Sequence, residues 1–445
     1  MKKLTLFSVF LILFSGCGVS LFNKTDFVRV IDTHFEYKGE PYYFTGTNLW
    51  YGCYLGRSGE QGDRERLKRE LDYLKELGIT NLRVLAASEK SYIRGSLEPA
   101  IQSEPGNYNE DLLDGLDYLL SEMRKREMFA VVFLSNYWEW SGGFAVYNRW
   151  SGDSNYVDPH NPEQGWTEFM NYSAKFYTNE KANEYYRNFI LKIITRKNKY
   201  TGDYYYEDPT IMAWQLANEP RPGWGEKGFR NAQNFYKWID ETAAFIRSID
   251  PNHLITTGNE GLGGCLNSDT IFINAHKSPN IDYATFHLWA KNWGWFDAKN
   301  IEETYPSTES KAVDYFNEHM KLARQLNKPI TLEEFGMPRD NEEYKPGTPV
   351  TARDRYFSKL FELTADSAKA GAPIAGTNFW AWGGEGKSAD DDYIWEKGDP
   401  FTGDPPQEPQ GLNSVYMSDK STLEIISGHA AEMNRLGKIK LFVRN

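Results

Sequence analysis

A single (β/α)8 barrel of the α/β class, with long connections after its strands, is predicted for residues 27–445. Three observations predict it. Eight short apolar runs recur along the chain and read as strands buried on both faces. Amphipathic helical patterns lie between them, which implies parallel pairing, and eight such strands close a barrel. Two of the runs end in a carboxylate at the C-terminal tip, where barrel enzymes do their chemistry.

In chain order, the first run is 42–48, followed by a helical pattern over 64–77. The second, 81–85, carries Arg83 and precedes a helix over 111–126. The third, 129–134, opens a long connection, 136–182, before a helix at 183–195. The fourth, 211–217, breaks off in Asn218-Glu219-Pro220, and Pro220 stops it; residues 219–232 lead to a helix at 233–249. The fifth, 254–258, is joined to the sixth, 283–287, by a segment with only a weak helical pattern. The sixth ends in His287 and is followed by a helix over 311–326. The seventh, 330–334, ends in Glu333-Glu334 and is broken by Gly336; a helix over 352–370 follows. The eighth, 376–382, carries Trp380 and Trp382, and a connection reaching Gly411 leads to a last helix over 421–436. No Gly-, Ser- or Pro-rich linker divides the chain and no period repeats, so one domain is expected.

The net charge of −12 argues against nucleic acid and anionic membrane surfaces as partners. Aromatics make up 15% of the chain, with 14 Trp and 28 Tyr, an excess that suits a surface binding the flat, partly apolar faces of sugar rings. Filling a large helix–sheet layer is the competing use for any one ring. Tryptophans crowd the long connections: Trp138, Trp140, Trp150, Trp166, Trp224, Trp289, Trp293, Trp295 and Trp395. If these loops share a barrel face they line an aromatic cleft. An open cleft suits a polymer cut internally; a pocket suits trimming from an end.

The N-terminus reads as targeting. Lys2-Lys3, an apolar run from Leu4 to Leu13 and the ending Ser15-Gly16-Cys17 resemble a bacterial lipoprotein signal, too short to span a bilayer as a mature helix. Residues 1–16 are the expected signal, Cys17 the lipidated first residue, and 17–26 a tether. The cell envelope, facing the periplasm or cell surface, is then the location, with plain secretion as the alternative. Cys53 and Cys265 either pair or stay thiols, since geometry controls bridging. The seven His are scattered and no Cys/His cluster occurs, so neither metal nor cofactor is expected.

Two carboxylates on separate strand ends are the minimum for cleaving a glycosidic bond. Glu219 is one. Glu333 and Glu334 compete to be the other, because strand alternation turns neighbours to opposite faces. A lone acid at a strand end is more often solvated or salt-bridged, a lone His287 a satisfied core histidine, and a lone Arg83 an ordinary ion-pair partner.

Asn218-Glu219-Pro220 after one strand and Glu334-Phe335-Gly336 after another resemble glycoside hydrolase family 5, a (β/α)8 family that cleaves with retention. Arg83, His287 and Trp380, in that order at three further strand ends, carry the resemblance. Gly46-Thr-Asn48-Leu-Trp50-Tyr51, Asn136-Tyr-Trp138-Glu-Trp140-Ser-Gly-Gly and Leu332-Glu-Glu334-Phe-Gly-Met-Pro-Arg339-Asp340 are most like the endo-β-1,4-mannanases. The resemblance makes Glu334 the nucleophile and Glu219 the acid/base. It implies that Arg83 keeps Glu334 charged, that Glu334 in turn raises the Glu219 pKa, and that Asn218 donates to the sugar 2-hydroxyl. Trp380 then stacks beneath the cleaved sugar. Asn136, His287, Trp138, Trp289 and Trp293 complete the implied substrate-binding set, with Trp138, Trp140 and Trp293 or Trp295 at outlying subsites. Many members carry Tyr two residues after the strand-six His; here Trp289 stands in its place. The expected activity is retaining endo-hydrolysis of mannan, glucomannan or galactomannan by a monomer. The alternatives are β-1,4-glucanase or exo-mannosidase chemistry, or a surface glycan-binding lipoprotein with a dead barrel.

Overall fold

The computed structural model describes residues 26–59 and 61–437. Numbering only the barrel's own elements, its strands are β1 Phe44–Asn48, β2 Asn81–Leu85, β3 Phe129–Phe133, β4 Ile211–Gln215, β5 Leu254–Thr256, β6 Ala284–Leu288, β7 Ile330–Phe335 and β8 Ile374–Phe379. The sheet order is 5-4-3-2-1-8-7-6, and every neighbouring pair is parallel. A single bridge, Thr256 to Tyr283, links β5 to the start of β6 and completes the ring. The predicted barrel is therefore present.

Each strand is followed by a helix: α1 Arg64–Glu76, α2 Glu110–Lys125, α3 Glu180–Ile194, α4 Gly225–Ile249, α5 Asp269–His276, α6 Ile301–Leu326, α7 Thr351–Lys369 and α8 Lys420–Leu436. Side-chain caps start several of them. Asn109 accepts from the Asp111 and Leu112 amides, Asn179 from Ala182, and Ser268 from Ile271. The Ser268 cap starts the short α5, where the pattern was weak. α4 and α6 begin at Gly225 and Ile301, each more than two turns earlier than predicted; α6 carries Pro306 inside.

Three differences from prediction shape the ends of the barrel. An antiparallel sheet of Arg29–Ile31, His34–Tyr37 and Glu40–Tyr42 precedes β1 and claims Tyr42. Its Phe35 packs on Phe44 and Tyr283, at ring separations of 6.3 and 5.2 Å, so it plugs the N-terminal mouth with apolar rings. The eighth strand ends at Phe379, because Trp382–Gly384 leaves the barrel to pair with Val415–Tyr416. The connection after β3 holds two further helices, Gly143–Trp150 and Gly165–Ser173.

The C-terminal mouth gathers the strand-end residues. Register pairs Asn48 with Arg83 and His287 with Glu334, and a bridge pairs Asn136 with Asn218. Trp214, Trp50 and Trp382 are fully buried. Cys53 and Cys265 are buried free thiols. Among the described residues no helix is long and apolar enough to cross a membrane. Cys17 and its signal lie outside the described residues.

Candidate active site

Arg83 is the hub. It rises from β2 inside the barrel, fully buried, and its planar guanidinium reaches four side chains. Nε donates to Gln215 Oε1 at 2.8 Å, Nη1 to Asn48 Oδ1 at 2.9 Å and to Glu334 Oε1, and Nη2 to Asn218 Oδ1 at 2.7 Å. One rigid fork thus sets the positions of residues from β1, β4 and β7 and of the Asn beside Glu219. With Oδ1 taken by Arg83, the Asn218 amide nitrogen donates to Asn136 Oδ1 at 3.1 Å and borders the cavity.

Glu219 adopts a left-handed backbone, φ 50°, which is rare outside glycine and is retained where surroundings enforce it. Its amide donates to Gly258 O at 2.9 Å. Trp138 Nε1 donates to Oε2 at 2.6 Å, and His287 Nδ1 lies 2.6 Å from Oε1. The same Nδ1 is 3.2 Å from Glu334 Oε2. One imidazole therefore bridges the two carboxylates, whose ligand oxygens lie within 4.8 Å of each other and of that nitrogen. Carboxyls about 5–5.5 Å apart characterise retaining glycosidases.

Trp289 answers the missing tyrosine. Its Nε1 donates to Glu334 Oε2 at 3.2 Å. The indole fits because residue 336 is glycine: a Cβ there would lie 3.0 Å from Trp289 Cζ3 and 3.0 Å from Trp380 O. Trp289 also meets Trp380 edge to face, at 5.9 Å and 78°. These rings, with Asn218, Glu219 and Glu334, line a cavity of about 880 Å³.

The charges settle differently from expectation. Burial pushes the Glu219 carboxyl up, but the hydrogen bond and charge of His287, the Arg221 guanidinium and the Trp138 donor outweigh it, bringing it down to about 2. Burial pulls His287 down, but the Glu334 charge and the bonds to both carboxylates raise it to about 9. The Glu334 charge thus acts first on His287, and the predicted rise at Glu219 does not occur, because the shared proton rests on the imidazole between them.

Glu333 is also corrected. The ladder skips a residue between β6 and β7, pairing Phe286 with Leu332 and His287 with Glu334, so Glu333 is the extra residue of a bulge. Both acids therefore lie inside the barrel. Glu333 sits below the cavity, bonded by Gln215 Nε2 and Tyr283 OH and 3.7 Å from Arg83 Nε, and burial raises its carboxyl. Only Glu334 borders the cavity.

Of the remaining predicted residues, Trp380 and Trp293 line the cavity. Trp138 does too, but it touches Glu219 itself and does not stand at an outlying position. Arg83, His287 and Asn136 are fully buried and are not among the residues that line the cavity; each bonds a group that does. Sequence reading missed Arg221 and Glu260, an ion pair whose Arg221 Nη2 lies 3.8 Å from Glu219 Oε2. Burial lifts Glu260 to about 7 against the pull of Arg221, and Trp293 Nε1 donates to it at 3.1 Å. The signal for Glu260 was available: Asn259-Glu260 follows β5 as Asn218-Glu219 follows β4. Glu139, His160 and Glu408 were also missed on the loops after β3 and β8.

The Glu219, His287 and Glu334 atoms lie close enough to hold a metal ion. Their facing atoms are already bonded to one another and to Arg83, Trp138 and Trp289. The donor set therefore fits a proton-sharing cluster better than a cation site.

A (β/α)8 barrel with two paired, buried carboxylates at its C-terminal mouth and an aromatic cavity above them defines a glycoside hydrolase. The chain matches the family described as glycoside hydrolase family 5 β-mannosidase-like over residues 25–438, and it belongs to that family. A mannan endo-1,4-β-mannosidase 7 of Arabidopsis thaliana is 31% identical over 401 residues, covering 85% of this chain and 84% of that one. A family 5 mannosidase of Rhizomucor miehei superposes with a TM-score of 0.85 at 36% identity, covering 94% of this chain and 100% of the other. A mutant of that enzyme is known in complex with mannosyl-fructose, at the same identity and TM-score.

Proposed function

We propose that the protein hydrolyses β-1,4-mannosidic bonds with retention, taking manno-oligosaccharides from the non-reducing end. The single observation that carries the chemistry is the His287 bridge between Glu219 and Glu334. Glu334, aligned by Arg83 and Trp289, attacks the anomeric carbon of a sugar lying on Trp380. As the glycosidic bond breaks, Glu219 delivers a proton to the leaving oxygen. That proton reaches Glu219 across the 2.6 Å contact from His287 Nδ1. Glu219 then takes a proton from the incoming water, which attacks the glycosyl-enzyme and releases Glu334 as carboxylate.

A wall at one side of the cavity supports end-trimming. Trp50 Nε1 donates to Gly403 O at 2.8 Å, and the Trp50 ring packs on Trp140 at 5.4 Å, so the β8 loop is fastened to the β3 loop. Gly95 of the β2 loop comes so near the β8 loop that a Cβ there would lie 3.1 Å from Gln407 Cα. The mannosidase name of the Rhizomucor relative agrees with this reading. Internal cleavage of mannan is the second reading. It is supported by the name of the Arabidopsis relative and by Trp166 and Trp224, which line the cavity while 45% and 42% exposed. Product analysis by NMR and chromatography on mannotriose, mannan and cellotriose tests all of this. β-Mannose as first product, released one unit at a time, is expected. An α-anomer first, or cellotriose preferred, overturns the reading; a ladder of oligosaccharides from mannan moves it to internal cleavage.

We also propose that the mature chain is tethered to a bacterial membrane by lipid on Cys17, on the strength of the Ser15-Gly16-Cys17 ending. Detergent partitioning of the natural protein and of Cys17→Ala tests it; equal release of both into the aqueous phase sinks it.

A further inference from the structure

Glu139 stands between two working tryptophans and has no use in the mechanism. It is 1% exposed, it borders the cavity, and among the described residues neither carboxylate oxygen accepts a hydrogen bond. Its charged neighbour is His160 Nε2 at 3.4 Å. Its main chain is pinned: Ser96 Oγ donates to Glu139 O at 2.9 Å and Leu97 N to Trp140 O at 2.7 Å. The backbone that carries the carboxyl is therefore held in place. Buried polar groups are hydrogen-bonded as a rule, and a buried carboxylate lacking donors is costly.

Its place says which part of a sugar it meets. Trp140, the next residue, packs on Trp380 at 6.5 Å, and the β2 and β8 loops close that side. The Arg221–Glu260 pair lines the same cavity from the loops after β4 and β5. Glu408 of the β8 loop borders the same wall, half-buried, and its field reaches both Glu139 and Glu334. In a pyranose, carbon 4 lies across the ring from carbon 1. With carbon 1 held between Glu219 and Glu334, end-trimming puts the 4-oxygen on the walled side.

We propose that Glu139 is a specificity-determining residue that accepts a hydrogen bond from the free 4-hydroxyl of a non-reducing-terminal sugar. The inference deepens the end-trimming reading and rests on it. A terminal 4-hydroxyl can donate to a carboxylate. The 4-oxygen of an internal unit is an ether, carries no hydrogen, and would bring no donor to the buried carboxylate. The residue thus distinguishes a chain end from a chain interior by chemistry as well as by the wall.

The test compares β-1,4-mannobiose with its analogue methylated on the non-reducing 4-oxygen, using wild type and Glu139→Gln. Sites built to bond a substrate hydroxyl reject analogues lacking it strongly. Wild type is expected to favour mannobiose by ~10²-fold or more in kcat/KM. Glu139→Gln, which can donate to an ether oxygen, is expected to narrow that preference at least tenfold with an unchanged melting temperature. Equal hydrolysis of both sugars by wild type overturns the proposal without needing the variant. A folded Glu139→Gln that keeps the full preference overturns the assignment to Glu139. Wild type inert on mannobiose but active on mannan removes the end-trimming reading and this inference with it.

Discussion

Trp289 Nε1 donates to Glu334 Oε2 at 3.2 Å, so an indole supplies a hydrogen-bond donor to this carboxylate. The contact matters most in the second half of the reaction, when Glu334 leaves as a carboxylate and its charge must be received. Hydrogen bonds to charged groups are worth ~1.5–3 kcal/mol. Trp289→Phe is therefore expected to lower kcat by about 10- to 100-fold. The glycosyl-enzyme should accumulate, giving a pre-steady-state burst with an activated aryl β-mannoside. Unchanged kcat and no burst would show that the contact is packing alone.

The two acids should separate by leaving group. Glu334→Gln removes the nucleophile and should be dead on every substrate. Glu219→Gln removes the acid, worth ~10²–10⁴-fold. It should lose most on mannobiose and least in the glycosylation of a substrate with an acidic phenol leaving group, which needs little protonation. Glu333→Gln keeps size and bonding to Tyr283 beneath the cavity and should retain turnover. A dead Glu333→Gln beside an active Glu334→Gln would put the nucleophile one residue earlier.

How much of this was legible depends on what sets each feature. The barrel is written in local pattern, since each strand and helix announces itself by apolar spacing, and Glu219, Arg83, His287 and Trp380 fall at recognisable strand ends. The choice between Glu333 and Glu334 was not legible from alternation, because the bulge between β6 and β7 breaks the alternation at that step. The N-terminal plug was missed because its strands are three or four residues long. Glu139 and Glu408 lie on long loops, where a residue's direction is set by packing between loops distant in sequence. Trp50 buried under the β8 loop is one example.

The shared proton predicts the pH profile. His287 is raised to about 9, so the stability it contributes is fully present below its ordinary value near 6.5 and is lost as pH rises through about 9. Glu219 is lowered to about 2, so its contribution is present above the ordinary carboxylate range and is lost as pH falls toward 2. Between these limits the cluster holds the one proton that Glu219 must deliver. The alkaline limb of kcat/KM should therefore fall near pH 9 and belong to the cluster as a whole. In His287→Asn that limb should move. A limb that stays in place in a folded His287→Asn would detach the imidazole from the proton supply.

Exhaustive chelation should leave activity intact. The Glu219, His287 and Glu334 atoms that could hold an ion are committed to each other within 4.8 Å. A large loss restored only by added divalent cation would show that this cluster, or the exposed Asp390-Asp391-Asp392 loop, works through a metal.

Two buried tryptophans should fail in opposite ways. Trp214 lies within β4, fully buried, and its Nε1 donates to Asp250 Oδ2 at 2.6 Å. Trp214→Ala opens a cavity and strips a donor from a buried carboxylate, so it should lose ~3–5 kcal/mol of stability. The protein that remains folded should turn over normally, because nothing of Trp214 borders the cavity. Trp380 is 4% exposed, yet it lines the cavity, and its neighbours Trp140 and Trp289 hold it edge to face. Trp380→Ala removes the platform on which the sugar distorts toward the transition state, so kcat should fall with kcat/KM. Its melting temperature should fall less than that of Trp214→Ala, since one side of the ring already faces the cavity. Thermal melts paired with steady-state kinetics decide the matter. If Trp380→Ala melts as low as Trp214→Ala while keeping normal kcat, Trp380 is a packing residue. The sugar then has a different floor, even with both carboxylates in their assigned roles.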